Sequence, residues 1–357
     1  MNQKLIFTNQ VIETLDSEVA AIGAPRTFVL VDTNTAHFVL PVLQSQSEAV
    51  GAATIITIPS GDVNKGLESV QTVWRALTDA GASRRDVLVN VGGGVVTDLG
   101  GFAAATYKRG MRFINVPTTL LGAVDAAVGG KTGINFGGLK NQVGVFREAD
   151  AVIISTFFFP TLTQEELLSG YAEMIKHAML TGPEVFARVM QFSVVAQTYD
   201  PDALLALLEE SVNVKKSIVE VDPTEKGLRK TLNFGHTAGH AIEAFAMKHK
   251  CPVPHGYAVA WGMVIESILS NLDEGFPSET LHQLAAYVRE HYHAYGITCD
   301  EYDALIDIMR QDKKNASPDA INFTLLRALG DAVIDVTVSP DRIKGALDIY
   351  RDLMGLA

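Results

Sequence analysis

An α/β domain with a mainly parallel sheet, followed by an all-α domain, is the fold class that three features of the 357-residue sequence predict. Through about residue 155, short branched apolar runs alternate with helical patterns, the texture of buried strands between covering helices. After Phe159-Pro160 strand candidates become few and helical periodicity takes over. The length also exceeds the ~250–300 residues at which single cores stop growing, so two domains are expected. The division is placed between residues 157 and 158, giving 1–157 and 158–357.

In order, Thr27–Val31, Ala53–Ile58, Val87–Val91, Phe113–Val116 and Ala151–Ile154 read as strands, being short, branched and bounded by turn residues. Thr35–Ser45, Gly66–Ala80 and Asp98–Thr106 read as the helices between them. Beyond the boundary, Thr163–Leu180, Pro201–Val219, His236–Lys248, Val259–Leu272, Glu279–Tyr295 and Asp300–Arg310 are helix-like. Thr163 followed by Glu166 is a capping-box pattern that starts the first of these.

Composition removes several classes of function. A formal charge of -12 lacks the basic face of a nucleic-acid binder, although a local Lys/Arg cluster can still receive an anion. Two cysteines, Cys251 and Cys299, are too few for a disulfide scaffold. The first residues lack a signal-peptide pattern and no apolar run spans a membrane, so a soluble cytoplasmic protein is expected.

The motifs follow the strands. Gly92-Gly93-Gly94 ends the Val87 strand and opens a helix with Asp98 in its first turn, which suits close approach of a phosphate. It lacks the GxGxxG spacing. Gly129-Gly130-Lys131-Thr132 fails as a P-loop because Asp125 stands where glycine is required. With Arg109, Lys140 and Asn141, Lys131 still suits a phosphate or carboxylate pocket. Glu173 and Lys176 share a helical face. The spacing of Arg229, Asn233, His236 and His240 would place all four on one face, with a helix that begins near Asn233 at the latest. Two histidines four apart, with His255 and Glu173, can hold zinc with an open position; spacing alone does not say which helical histidine binds. The small neighbours Gly235, Ala238, Gly239 and Ala241 leave room for a substrate.

Read together, GGGVVTD (92–98), YKRG (107–110), VPTTLLGAVDAAVGGKTGIN (116–135), LKNQVG (139–144), SGYAEMIKH (169–177), EKGLRKTLNFGHTAGHAIE (225–243), HG (255–256) and DKKN (312–315) resemble the 3-dehydroquinate synthase family of sugar phosphate cyclases. The resemblance implies a Rossmann-like first domain that binds NAD and a helical second domain that binds metal and substrate. It implies Glu173, His236 and His255 as ligands of zinc, or of cobalt in its place, and moves His240 to the substrate. Lys131, Asn141, His240 and Lys313 or Lys314 match the phosphate-side residues, and Arg109 an arginine that enters from a neighbouring subunit, so a homodimer is implied. Lys215, Arg229 and Asn233 match the carboxylate and hydroxyl contacts, with Asp125 and Lys176 as further hydroxyl contacts. For NAD the resemblance implies Asp32, Asn34, Asp62, Lys65, Gly93, Gly94, Asp98, Thr118, Thr119, Lys131, Lys140, Thr161, Leu162 and Glu166. Asp62 stands where the family commonly has Glu, Thr97 stands at a position often filled by Gly, and the stretch from His240 to His255 is slightly long.

The implied reaction converts 3-deoxy-D-arabino-heptulosonate 7-phosphate to 3-dehydroquinate and phosphate in the shikimate pathway. It proceeds by transient oxidation with NAD, phosphate elimination, re-reduction and intramolecular aldol closure, a carbon–oxygen lyase overall. The alternatives are another sugar phosphate cyclase, such as an aminodehydroquinate synthase, and a polyol dehydrogenase of the glycerol-dehydrogenase type. Retained Arg229 and Asn233 speak against cyclases whose substrates lack a carboxylate.

Overall fold

The computed structural model describes residues 3–137, 139–311 and 321–356. By its contacts the chain forms two units, one of residues 1–167 and 195–216, the other of 168–194 and 217–357.

The first unit is built on six parallel strands, β1 (Lys4–Phe7), β2 (Thr27–Asp32), β3 (Thr54–Ile58), β4 (Val87–Gly92), β5 (Arg112–Pro117) and, after a two-stranded insertion, Ala151–Ile154. The insertion consists of β6 (Lys131–Phe136) and β7 (Leu139–Phe146), so Ala151–Ile154 is β8. The sheet order is β1-β8-β5-β4-β2-β3, and every pairing in it is parallel. Strands β2, β4, β5 and β8 are buried along nearly their whole length, as their continuous branched runs require. On one face, Val29, Val31, Val89, Val91, Ile114 and Ile153 join Leu15 and Leu43 in a single apolar cluster.

After β3 the chain returns to the other side of β2 and lays down β4, so the strand order reverses between β2 and β4. Ligand crevices form at such a reversal, outside the carboxyl ends of the strands. Asp32, Gly93 and Thr118 stand at the ends of β2, β4 and β5.

Local signals place the main elements well. The Val87 strand extends to Gly92, and the helix after it starts at Gly94, four residues before the expected Asp98. Thr163 and Glu166 form the expected box: the Thr163 N–H donates to Glu166 Oε2 at 2.9 Å, and the Glu166 N–H to Thr163 Oγ1 at 3.2 Å. The expected helix Thr35–Ser45 is broken at Val39 into Thr33–Phe38 and Leu40–Gln46.

The second unit is helical, with one β element among the described residues. β9 (Ile321–Ala328) and β10 (Asp331–Val338) form an antiparallel hairpin that turns at Gly330, whose φ is +84°. The hairpin packs on the helix His255–Glu274, and the Gly330 N–H donates to Met179 O at 2.8 Å.

Candidate active site

Of the residues implied for NAD, Asp32, Asp62, Gly93, Gly94, Thr118 and Thr119 stand at or just beyond the carboxyl ends of strands in the first unit, whereas Lys131 and Lys140 lie in the β6–β7 hairpin. Gly93 starts the helix Gly94–Thr106, and no side chain caps that helix, so its first N–H groups face outward. A Cβ on Gly93 would lie 3.0 Å from Thr119, and one on Gly94 3.0 Å from Ala126, so the turn packs tightly on its neighbours at both glycines. An uncapped N-terminus with a side-chain-free approach fits a dinucleotide's pyrophosphate.

Beside it runs a polar chain. Lys65 Nζ donates to Asp98 Oδ2 and to Asn141 Oδ1, both at 2.6 Å. Lys140 Nζ stands 3.3 Å from Asp62 Oδ2. Burial pushes the Asp98 carboxyl above its ordinary value, with Lys65 opposing the rise. Asp32 caps the helix Thr33–Phe38, accepting the Thr35 N–H at 2.8 Å, and Asn34 lies in the first turn. Thr161 and Leu162 follow β8, and the Glu166 carboxylate is engaged at the helix start just described.

Among the substrate-side residues of this unit, Lys215 Nζ donates to Asp125 Oδ1 at 2.6 Å. Lys131 and Asn141 do not come together along the backbone. Lys131 pairs with Phe146, whereas Asn141 lies near the turn of the hairpin alongside Asn135. Four residues of strand separate the two levels, about 13 Å. Arg109 is exposed on a turn at φ +66°, past the far end of the helix that Gly93 opens. Thirteen helical residues, ~20 Å, divide it from that glycine turn. Lys313 and Lys314 lie outside the described residues.

In the second unit the expected stripe of Arg229, Asn233, His236 and His240 is not one helical face. Gly235 adopts φ +79° and separates a 3-10 segment, Leu228–Asn233, from the helix His236–Lys248. Arg229 is buried, and its guanidinium donates to Pro223 O at 2.8 Å. Asn233 Nδ2 donates to Glu225 Oε1 at 3.0 Å. The small neighbours have another purpose than substrate room. A Cβ on Gly239 would lie 2.8 Å from Ala258 O, and one on Gly262 2.0 Å from Gly235 O. These glycines let the helices His236–Lys248 and His255–Glu274 pack backbone to backbone, while Ala238 and Ala241 are fully buried. The left-handed Gly235 turn is held by Glu266, whose carboxylate accepts the Gly235 N–H at 2.6 Å and the Ala238 N–H at 3.0 Å.

Three histidine rings converge at this start. Their centroids are 5.1 Å apart for His236 and His240, 5.5 Å for His236 and His255, and 5.8 Å for His240 and His255. Ring nitrogens of all three lie within 4.8 Å of one another. The buried Glu173 carboxylate, on the helix Gln164–Thr181, places Oε1 3.4 Å from His236 Nε2 and 3.5 Å from His255 Nε2, and pairs with Lys176 through Oε2. The outer ring nitrogens have their own acceptors: His236 Nδ1 meets Phe234 O at 3.1 Å, and His255 Nδ1 meets Glu243 Oε2 at 3.5 Å. With a proton on each Nδ1 and none on Nε2, each Nε2 would present a lone pair to the Glu173 oxygen. Lone pairs and carboxylate facing one another at that distance call for a cation between them, so these residues fit a divalent metal.

Without a cation, positive charge settles on His255 instead. Burial works to raise the Glu173 carboxyl, but Lys176 and His236 outweigh it and hold it well below the usual range. Burial, with Lys176 nearby, pushes His236 down. Burial opposes charge on His255 as well, yet Glu173 and Glu243 push it up to about 10.

Set against known proteins, residues 55–169 match the model of the 3-dehydroquinate synthase N-terminal part, and residues 170–315 that of the C-terminal part. A curated 3-dehydroquinate synthase of Parabacteroides distasonis is 46% identical over 99% of both chains. The chain belongs to the 3-dehydroquinate synthase family. A 3-dehydroquinate synthase of Streptococcus pyogenes serotype M5 is 37% identical, over 87% of this chain and 86% of its own.

Among solved structures, the 2-epi-5-epi-valiolone synthase of Streptomyces hygroscopicus subsp. jinggangensis 5008, with NAD+ and Zn2+ bound, is 25% identical with TM-score 0.81, covering 98% of this chain and 97% of its own. A 2-deoxy-scyllo-inosose synthase complexed with carbaglucose-6-phosphate, NAD+ and Co2+ shares the fold at TM-score 0.82 and 22% identity, covering 98% and 96%.

For a member of the 3-dehydroquinate synthase family, sequence reasoning missed three polar residues next to the implied set: Asn135, Glu243 and Glu266. The signal was present for Glu243, which lies one helical turn beyond His240 in HAIE. Nothing in the spacing of Glu266 points at Gly235, because their contact spans 31 residues.

Proposed function

We propose that this chain converts 3-deoxy-D-arabino-heptulosonate 7-phosphate into 3-dehydroquinate and inorganic phosphate, as a phosphate-eliminating lyase of aromatic amino acid and chorismate biosynthesis. We place it in the cytoplasm as a homodimer; no helix among the described residues is long and apolar enough to cross a membrane. What carries the reading is the buried Glu173 carboxylate facing two histidine Nε2 atoms, in a chain 46% identical end to end to a curated 3-dehydroquinate synthase.

Bound NAD supplies a hydride acceptor and donor for C5 of the sugar, and zinc, or cobalt in its place, supplies a Lewis acid for the C5 oxygen. Glu173, His236 and His255 are the residues that hold the metal. Gly93, Gly94, Asp98, Lys65, Asp62 and Thr119 hold the dinucleotide, joined by the other residues implied for it.

The remaining residues orient one flexible sugar acid, the chief demand of a reaction in which the substrate's own phosphate can take up the proton lost from C6. Arg229 receives the carboxylate, since a buried guanidinium is a fixed fork for it. Asn233, Lys215, Asp125 and Lys176 receive hydroxyls. Lys131, Asn141, His240 and a lysine at 313 or 314 meet the phosphate, with Arg109 entering from a second copy.

The test is phosphate release from the heptulosonate phosphate, with absorbance at the NADH band followed in parallel, with and without a chelator. Phosphate release with no net NADH supports the reading. NADH formed in step with turnover assigns the chain to polyol dehydrogenation, and turnover of only the amino-substituted substrate to aminodehydroquinate synthesis.

A further inference from the structure

We propose that Asn135 is a positioning residue that ties the nucleotide side of the first unit to its phosphate side, so that the two ligands are not bound independently. The inference rests on assigning Asp62, Lys65 and Asp98 to NAD and Asn141 to the phosphate.

Asn135 is a half-buried residue of β6. Its Nδ2 donates to Asp62 O at 3.0 Å and to Asp62 Oδ2 at 3.2 Å. Its Oδ1 accepts the Asn141 N–H at 3.0 Å, and its own N–H donates to Lys65 O at 2.8 Å. A carbonyl and a carboxylate can only accept, and a backbone N–H can only donate. The position therefore needs a short planar group with a donor on one arm and an acceptor on the other, which is the asparagine amide.

The acceptor arm has a conformational task. Asn141 holds φ +52°, a left-handed conformation that non-glycine residues adopt with local support. Its N–H is anchored on Asn135, and its own Oδ1 then accepts Lys65 Nζ at 2.6 Å. The same ammonium reaches Asp98 at 2.6 Å. The donor arm holds the Asp62 carboxylate through Oδ2 and its backbone through O. Asp62, Asn135, Asn141, Lys65 and Asp98 thus form one continuous hydrogen-bonded network: the Lys65 N–H also donates to Asp62 O at 3.1 Å, while Asn135 is the side chain that joins Asp62 to Asn141.

Two substitutions separate the arms. Asn135→Asp keeps an acceptor for Asn141 and sets a second carboxylate against Asp62. Asn135→Ala releases both. In the full-length protein, NAD+ affinity is measured by calorimetry, KM and kcat by phosphate release, and amide exchange over residues 139–146 by mass spectrometry. Asn135→Asp should weaken NAD+ about tenfold or more with KM for the sugar phosphate near wild type and slow exchange retained. Asn135→Ala should weaken NAD+, raise that KM several-fold and speed the exchange.

Wild-type NAD+ affinity and KM in both variants would overturn the proposal. So would an equal loss of both in the two variants accompanied by a fall in thermal stability, which marks a merely structural role. Asp98→Ala separates this failure from failure of the nucleotide assignment: loss of NAD+ binding there, with both Asn135 variants unaffected, leaves the assignment standing and removes the coupling. Absence of NAD+ binding by the wild-type chain removes both.

Discussion

Gly256 lies directly on Ser169. Its N–H donates to Ser169 Oγ at 3.1 Å, and a Cβ at this position would fall 1.8 Å from Ser169 O. The helix that begins at His255 therefore touches the helix that carries Glu173 through bare backbone, and His255 is brought to Glu173 because its neighbour has no side chain. Gly256→Ala is expected to push these helices apart, at a cost of about 1–3 kcal/mol for forced overpacking. Urea unfolding would read that loss, and zinc titration of the folded fraction would read a weaker site. Wild-type zinc affinity in this variant would show that the close contact does not set the ligand geometry.

The ligand set separates by substitution. Glu173→Gln and His236→Ala should lose zinc on dialysis against a chelator, whereas His240→Ala should keep zinc and slow phosphate release. Metal analysis of the dialysed proteins decides it. All three rings are within reach of a common ion, so zinc lost from the His240 variant would assign that histidine to the metal.

Glu243 orients His255 from behind, at 3.5 Å from Nδ1. Removing such a partner of a ligating histidine typically costs 10–100-fold in metal affinity. Glu243→Gln should therefore raise the zinc dissociation constant within about that range, measured by competition with a chromophoric chelator, and an unchanged constant would remove Glu243 from the metal's surroundings.

Asp86, fully buried, accepts the Ser83 N–H at 2.7 Å and Arg26 Nη2 at 2.9 Å. Burial works to raise its carboxyl, but Ser83 and Arg26 outweigh burial and hold it below the ordinary value. A depressed carboxyl contributes stability that is present above the unfolded pKa of ~3.9 and is lost as pH falls through the folded value. Asp86→Asn should thus be less stable than wild type at pH 7, with the gap narrowing below about pH 4. Denaturant midpoints at both pH values check the sign; a gap that widens in acid contradicts it.

Much of the fold was legible because its causes are local. Val87–Val91 and Ala151–Ile154 advertise strands buried on both faces, and Thr163 with Glu166 advertises a helix start, since the atoms involved are three residues apart. The two hairpins were harder to see. In β7 the whole strand is partly or fully exposed, so apolar Val143, Val145 and Phe146 mark no core face, and Gly144 interrupts the run. In β10 the burial pattern is irregular because two register shifts break the alternation.

The sequence by itself determined the strands β2, β3, β4, β5 and β8, most of the helices after residue 163, the glycine turn at the end of β4 and the family motifs that name candidate ligands. Those depend on chemistry within a few residues of chain. Only the tertiary structure decided which candidates meet. It broke the Arg229–His240 stripe at Gly235, gave the small residues of that stripe to helix packing, and gathered His236 and His255 around Glu173. Such meetings depend on how closely two backbones approach, which is settled where a missing Cβ on one helix admits a carbonyl of another, as Gly256 admits Ser169. No spacing within either segment records it.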